Sequence, residues 1–444
     1  MIDIYWLFIL TCLFLVFELL VLKIEYSAPG FIFTASFVIC SACSFYLAED
    51  WGIEKIQFET FSIIILSNVI FLVVEEIFRV NAKIFKEKKI VLDKYQEKHP
   101  INISKSILYV TIILGLICIL WSILYIVRYI SAGNWNAIMA MYKNVVNTDT
   151  SSLGLGKKML NQFNKVLTAL NYILLFVFNY NLSCKKIPKN IICLYIISFI
   201  EYMVFRLLLS GGRQSLLFFV IAWFTISIIC KTFKENENEI KKANRKYMKN
   251  LLIAVVIIFP LFYFLGRFVG RKESDVLYAA TSYLATGIYG FEWEVKNHYA
   301  STYWGEISFP GLYPILKFLG VIPLNIKPQS FLPFFWHGNT VSMLGRWYWD
   351  FGTIGVYIIT LLVSISFSYL YYYKIRYAKD SHERNRSIIV YGYLVHILYF
   401  AGYDDFVMNI LSLNFVLTII IIYLFYEWIV KRHIKLVFRK QREN

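Results

Sequence analysis

SILYVTIILGLICILWSILYIV, residues 106–127, is 22 residues long and carries no charge. An α-helix rises about 1.5 Å per residue and the hydrocarbon core of a bilayer is about 30 Å thick, so about 20 apolar residues cross it. Similar runs lie near 4–22, 30–48, 61–79, 106–130, 163–183, 190–209, 213–230, 250–269, 351–373, 387–403 and 408–430. They are continuous, whereas the strands of a membrane barrel alternate apolar and polar residues. The expected fold class is all-α: a polytopic membrane protein with about eleven transmembrane helices in one transmembrane domain, residues 1–444. Composition agrees. The chain is 58% hydrophobic and 17% charged, with a mean hydropathy of +0.57, against about 25% charged in soluble proteins. Glu75 and Glu76 slightly weaken the third run.

Charge orients the helices. With the basic end KRHIKLVFRKQREN (431–444) placed in the cytoplasm, alternation puts 30 of the 45 Lys and Arg on that side. Cytoplasmic loops carry such an excess. The expected topology is multi-pass, N-terminus outside and C-terminus cytoplasmic. The net charge of +16 is thereby explained without nucleic acid, and membrane lipids are the expected surroundings. The opening MIDIYWLFIL lacks a basic flank and continues apolar to Lys23, so a retained helix is expected rather than a cleaved signal. The seven cysteines show no metal-ligand spacing and read as small apolar fillers.

One outside segment, 270–350, is far longer than the other loops. It holds Trp293, Trp304, Trp336, Trp347 and Trp349 among many Tyr and Phe. That composition argues for an ordered large extracytoplasmic loop, with LYPILKFLGVIPL (312–324) lying in the interface.

Candidate chemistry gathers on the same side. LLLSGGRQSLLFF (207–219) breaks two apolar runs with Ser210, Gly211, Gly212 and Arg213. The helix that follows starts there, so its free N–H groups and partial positive charge join the guanidinium, an arrangement suited to phosphate or pyrophosphate. A capped turn whose arginine reaches lipid headgroups is the other role open to it. Arg267 and Arg271, four residues apart, share one face if the helix continues. Arg206 sits within the bilayer and needs a partner, for which Glu201 is the candidate. In WHGNTVSMLGRWYWDFGTIG (336–355), His337 can move a proton near neutral pH. Asn339 and Arg346 follow it, and Asp350 is expected to cap a helix. Glu292, Glu294 and His298 lie among aromatics, as in sugar-binding sites, and AGYDD (401–405) reads as a solvated turn. No P-loop, zincin motif, nucleophile elbow or metal-ligand cluster occurs, so the expected chemistry needs no cofactor and no metal and uses an energised substrate.

SGGRQSLL (210–217) opening a central helix, NTVSMLGRWYWDFGTIG (339–355) entering a late one, and the long late loop resemble the Wzy-type polysaccharide polymerases, also called O-antigen or oligosaccharide repeat-unit polymerases. The resemblance covers most of the chain in layout and these two stretches in residues. It implies a C-type glycosyltransferase architecture in a bacterial plasma membrane. Polyprenyl-pyrophosphate-linked oligosaccharides would be joined on the outer face into a surface or capsular polysaccharide. A chain-length regulator and a flippase are the further partners it implies. Arg213, Arg267, Arg271 and Arg346, with Gly211 and Gly212, would hold the pyrophosphate; His337 or a carboxylate among Glu292, Glu294 and Asp350 would act as base, with His298 and Asn339 near the sugars. Some family members place Gly eleven residues after such an arginine; here those positions are Phe224, Tyr278, Ser282 and Tyr357. Two other functions compete: a lipid-linked oligosaccharide flippase, against which the long loop and the lack of repeats count, and an O-antigen-ligase-like transferase.

Overall fold

The computed structural model describes residues 1–22, 24–87, 100–129, 135, 137–139, 141–142, 154–184, 189–232, 276–297, 301, 303–323, 338, 340–378 and 380–431. Among them, eight helices are long and apolar enough to cross a membrane. The expected run at 250–269 lies outside the described residues. Apart from a ribbon of two short strands, β1 (Ile2–Asp3) and β2 (Lys55–Ile56), the described chain is helix and connecting loop.

The chain divides into two compact units. Unit 1 comprises Met1–Leu92, Leu277–Asp380 and Leu394–Val416. Its helices are α1 (Ile4–Leu20), α2 (Pro29–Tyr46) and α3 (Phe58–Glu87) from the first segment. Unit 2 comprises Asp93–Val276, Ser381–Tyr393 and Leu417–Asn444. It holds α4 (Lys105–Tyr129), α5 (Leu155–Ser183), α6 (Lys189–Ser210) and α7 (Gln214–Thr232). Unit 1 resumes with α8 (Val276–Asn297), the short α9 (Tyr313–Phe318) and α10 (Met343–Ser368), which a π-helical stretch extends to Arg376. Then come α11 (Ser381–Leu394) in unit 2, α12 (His396–Tyr399) in unit 1, and α13 (Leu413–Tyr426), which begins in unit 1 and continues in unit 2.

The quoted run forms α4. Val110, Ile113, Ile117, Leu120, Leu124 and Val127 stay exposed along it at helical spacing. In water such an apolar stripe would drive aggregation; against lipid tails it is the expected surface. Inside a membrane, helices associate by close packing rather than by expulsion of water, and both units show it. In unit 1, α10 lies along α3, and α2 packs on α1 and α3, with Phe33 stacked on Phe71 at 4.0 Å. In unit 2, Phe178, Phe199, Phe219 and Trp223 meet mostly edge to face between α5, α6 and α7.

Glu75 and Glu76 do not interrupt α3. Glu75 turns inward and accepts hydrogen bonds from the Gly30 N–H and, at 2.6 Å, from the Tyr372 hydroxyl. Glu76 pairs with Arg79 at 2.7 Å. On α1, Glu18 accepts from the Thr34 hydroxyl at 2.7 Å. Glu18 and Glu75 thus each keep a donor, as a low-dielectric interior demands.

The segment read as a loop contains a 22-residue helix, α8. Its glycine explains its seat: a Cβ on Gly287 would run into the Gly402 carbonyl oxygen and the Tyr403 backbone. Gly287→Val is expected to lower the thermal unfolding midpoint of detergent-purified protein markedly, since overpacking of this kind costs about 1–3 kcal/mol or more. An unchanged midpoint would contradict the tight seat.

Candidate functional site

Two polar centres interrupt the apolar interior, one in each unit. In unit 2, α6 ends at Ser210 and α7 begins at Gln214. Gly211 has φ 59°, a left-handed conformation that glycine adopts without strain. Its N–H donates to the Leu207 carbonyl at 3.0 Å, closing the helix end. The Ser210 hydroxyl lies 2.8 Å from the carbonyls of Arg206 and Gly212 and accepts from the Gly212 N–H at 3.2 Å. This fixed turn presents Arg213 at 4% exposure just before α7. Lipid headgroup contact would leave that side chain open; here it is packed into the unit.

Other cations stand by the same turn. Lys157 lies in the first turn of α5, which starts eight residues before the expected span. It is 3% exposed. Its ammonium donates to the Tyr142 hydroxyl and the Leu209 carbonyl and sits 4.8 Å from the Tyr142 ring centre. Tyr142 itself donates to the Leu209 carbonyl at 3.2 Å. Arg206 finds Asn164, not Glu201: one terminal nitrogen donates to the amide oxygen at 3.0 Å. Its Nε has no hydrogen-bond partner among the described residues. Glu201 lies against Gly115 of α4.

In unit 1, three segments meet. The Ser342 N–H donates to the Gly287 carbonyl at 2.8 Å and the Met343 N–H to the Ala401 carbonyl at 2.9 Å. The Ser342 hydroxyl accepts from the Gly345 N–H, so it is Ser342 that caps α10, nine residues before the expected start of the span. Asp350 does not cap that helix. It accepts from the backbone N–H of Ser308 at 2.6 Å and of Ile307 at 3.2 Å and so holds the preceding loop. Two residues later α10 kinks at Gly352.

Arg346, 5% exposed, is ion-paired: Nε and Nη2 each lie 2.9 Å from Asp404 Oδ1. The Trp347 indole donates to Asp405 at 3.2 Å, and Asp405 accepts from the Val407 N–H at 2.8 Å. The turn expected to be solvated is thus buried, its two aspartates serving the start of α10. Burial raises both carboxyls against the pull of Arg346, Asp405 to about 7. An unfolded aspartate titrates near 3.9, so the folded chain holds this proton over a wider range. The resulting stabilisation is complete below about pH 4 and is lost as pH rises through 7. Thermal midpoints of wild type should therefore fall from pH 5 to 8, and Asp405→Asn should flatten that slope. An identical slope in the variant would remove Asp405 as its source.

The two glutamates of α8, expected in sequence to lie in the outer loop, part company. Glu292 accepts from the Gln57 N–H and the Thr60 hydroxyl and pairs with Lys296 at 3.2 Å. Glu294, 1% exposed, has no hydrogen-bond partner on either oxygen among the described residues. Burial raises its carboxyl well above the usual range, opposed by Arg346. Gly338, between His337 and Asn339 in sequence, packs on Thr286, and Thr286 shares a 2.5 Å hydrogen bond with Thr340. His337, Asn339, Arg267, Arg271 and His298 lie outside the described residues. Sequence reading missed Lys157 as a buried group, and missed the Arg346–Asp404 pair because 58 positions separate its members.

Fold and polar centres together define an all-α polytopic membrane protein. No protein-family model matches the chain, and no curated protein or solved structure does either.

Proposed function

We propose that the protein is a metal-independent membrane glycosyltransferase that polymerises polyprenyl-pyrophosphate-linked oligosaccharide repeat units on the outer face of a bacterial plasma membrane. One observation carries the reading: a permanently charged guanidinium, Arg213, is held buried in a rigid glycine turn at a helix start. A buried cation beside free helix N–H groups favours an anion, and a diphosphate is the anion an energised lipid-linked sugar brings. During transfer the bond from the anomeric carbon to the diphosphate oxygen breaks, and its electron pair stays on the diphosphate. The acceptor hydroxyl bonds to the anomeric carbon and gives its proton to a base, for which His337 and Glu294 are the candidates. At Arg346 a pyrophosphate would have to compete with Asp404, which lies 2.9 Å away.

A second reading is a transporter of the same lipid-linked substrate. Glu18 and Glu75, buried in helices long or apolar enough for the membrane, favour it, since intramembrane carboxyls often mark ion pathways. Purified protein in liposomes, given a synthetic lipid-linked repeat unit, separates the two. A ladder of products is expected; flipping without a ladder selects the transporter, and one transfer to a foreign acceptor selects a ligase-like enzyme.

A further inference from the structure

Lys157, buried, and Arg206, partly buried, have an unusual environment for cations. Among the described residues their hydrogen-bond partners are neutral: a hydroxyl and a carbonyl for Lys157, an amide for Arg206. Charges withdrawn from water are normally matched by opposite charge. Glu201, the carboxylate on Arg206's own helix, lies against Gly115 instead. The Lys157 ammonium has three donors, two of which are used within the unit. Among the described residues Arg206 Nε has no partner either. Both groups border one turn: Lys157 grips the carbonyl of Leu209, and the Arg206 carbonyl meets the hydroxyl of Ser210.

We propose that Lys157 and Arg206 complete, with Arg213, a single three-cation site at the 206–213 turn that takes the diphosphate of a lipid-linked glycan. The assignment rests on the polymerase reading for the glycan but not for the anion. A three-cation site suits the reaction's charge change. The diphosphate diester of the substrate gains one negative charge when the glycosidic bond breaks and the electron pair remains on its oxygen. Arg206 and Arg213 balance the charge present before cleavage. Lys157, on a separate helix, meets the charge that appears with it, which is where a cation accelerates a reaction rather than merely binding its substrate.

The test uses full-length protein in nanodiscs, with geranyl pyrophosphate as the binding probe and ladder formation as the readout of turnover. Lys157→Met is expected to weaken probe binding about tenfold, since the probe is the monoester that cleavage produces, while Lys157→Arg stays within about threefold. Arg206→Gln, at a partly exposed position, is expected to weaken binding about tenfold as well and guards against a Lys157→Met protein that fails to fold. Ladder formation in Lys157→Met should fall in kcat more than it rises in KM. If Lys157→Met and Arg206→Gln, each folded, bind the probe as wild type does while wild type makes a ladder, the three-cation site is wrong and the polymerase reading stands. If wild type binds the probe and both variants lose it but no ladder forms under any condition, the anion site stands and the polymerase reading falls.

Discussion

Arg213→Ala protein is expected in the membrane at wild-type levels and to make no long polymer. Arg213 follows a turn closed by backbone hydrogen bonds and the Ser210 hydroxyl, none of which uses its side chain, so its removal leaves those helix-end bonds intact. On the proposed function, what is lost is a charge that meets the departing diphosphate. Removing one preorganised donor of this kind costs about 10²–10³ in rate. Multiplied over successive additions, that loss reduces product to short chains. Arg213→Lys should recover only part of the activity, because an ammonium cannot reproduce the planar fork that holds two phosphate oxygens. Gel analysis of lipid-linked product, beside immunoblotting of membranes, reads both quantities. Wild-type chain length in Arg213→Ala removes this residue from the site.

Asp404→Ala is expected to do the opposite: to damage the fold first. It strips the partner from Arg346, a guanidinium that stays buried. Breaking a buried pair from one side costs about 3–5 kcal/mol, a large share of the about 5–15 kcal/mol that holds a typical domain together. The loss should appear as lower yield and a sharply lower thermal midpoint. Replacing both partners with apolar residues, Arg346→Met with Asp404→Leu, should recover part of the stability, because neither member of the pair is then left without the other. If Asp404→Ala unfolds at the wild-type temperature, the pair is not what anchors the 401–405 turn to α10. If the stable double variant still polymerises, Arg346 serves architecture alone.

The contrast between these substitutions shows what a sequence can and cannot disclose here. Helices such as α4 are legible because an uninterrupted apolar run has one cheap solution in a bilayer. Helix α8 was not, since Thr281, Ser282, Thr286 and Glu292 dilute it below any spanning threshold. Its burial of Ile288, Phe291 and Val295 at helical spacing was the available signal. The true start of α10 was marked by Ser342, a good capping residue, but Trp347 and Trp349 gave that stretch the look of an interfacial loop. The 387–403 run was mostly apolar yet breaks into α11 and α12, the second starting at His396. Among the polar groups, Arg213 stood out because, directly after two glycines, it interrupts a long apolar stretch. Asp404 did not, because two adjacent aspartates in a turn look solvated until a distant arginine is folded onto them. Lys157 was hidden for the same reason: its burial depends on Tyr142 and Leu209, which no local pattern links to it.

The central claim is that the turn between α6 and α7 grips the diphosphate of a lipid carrier. Crosslinking with a short polyprenyl pyrophosphate that bears a photoreactive group next to its diphosphate tests it most directly. After illumination of the protein in nanodiscs, mass spectrometry should place the adduct on peptides containing residues 206–216 or the first turn of α5, and excess inorganic pyrophosphate should abolish it. An adduct confined to unit 1, or one that inorganic pyrophosphate leaves untouched, would contradict it.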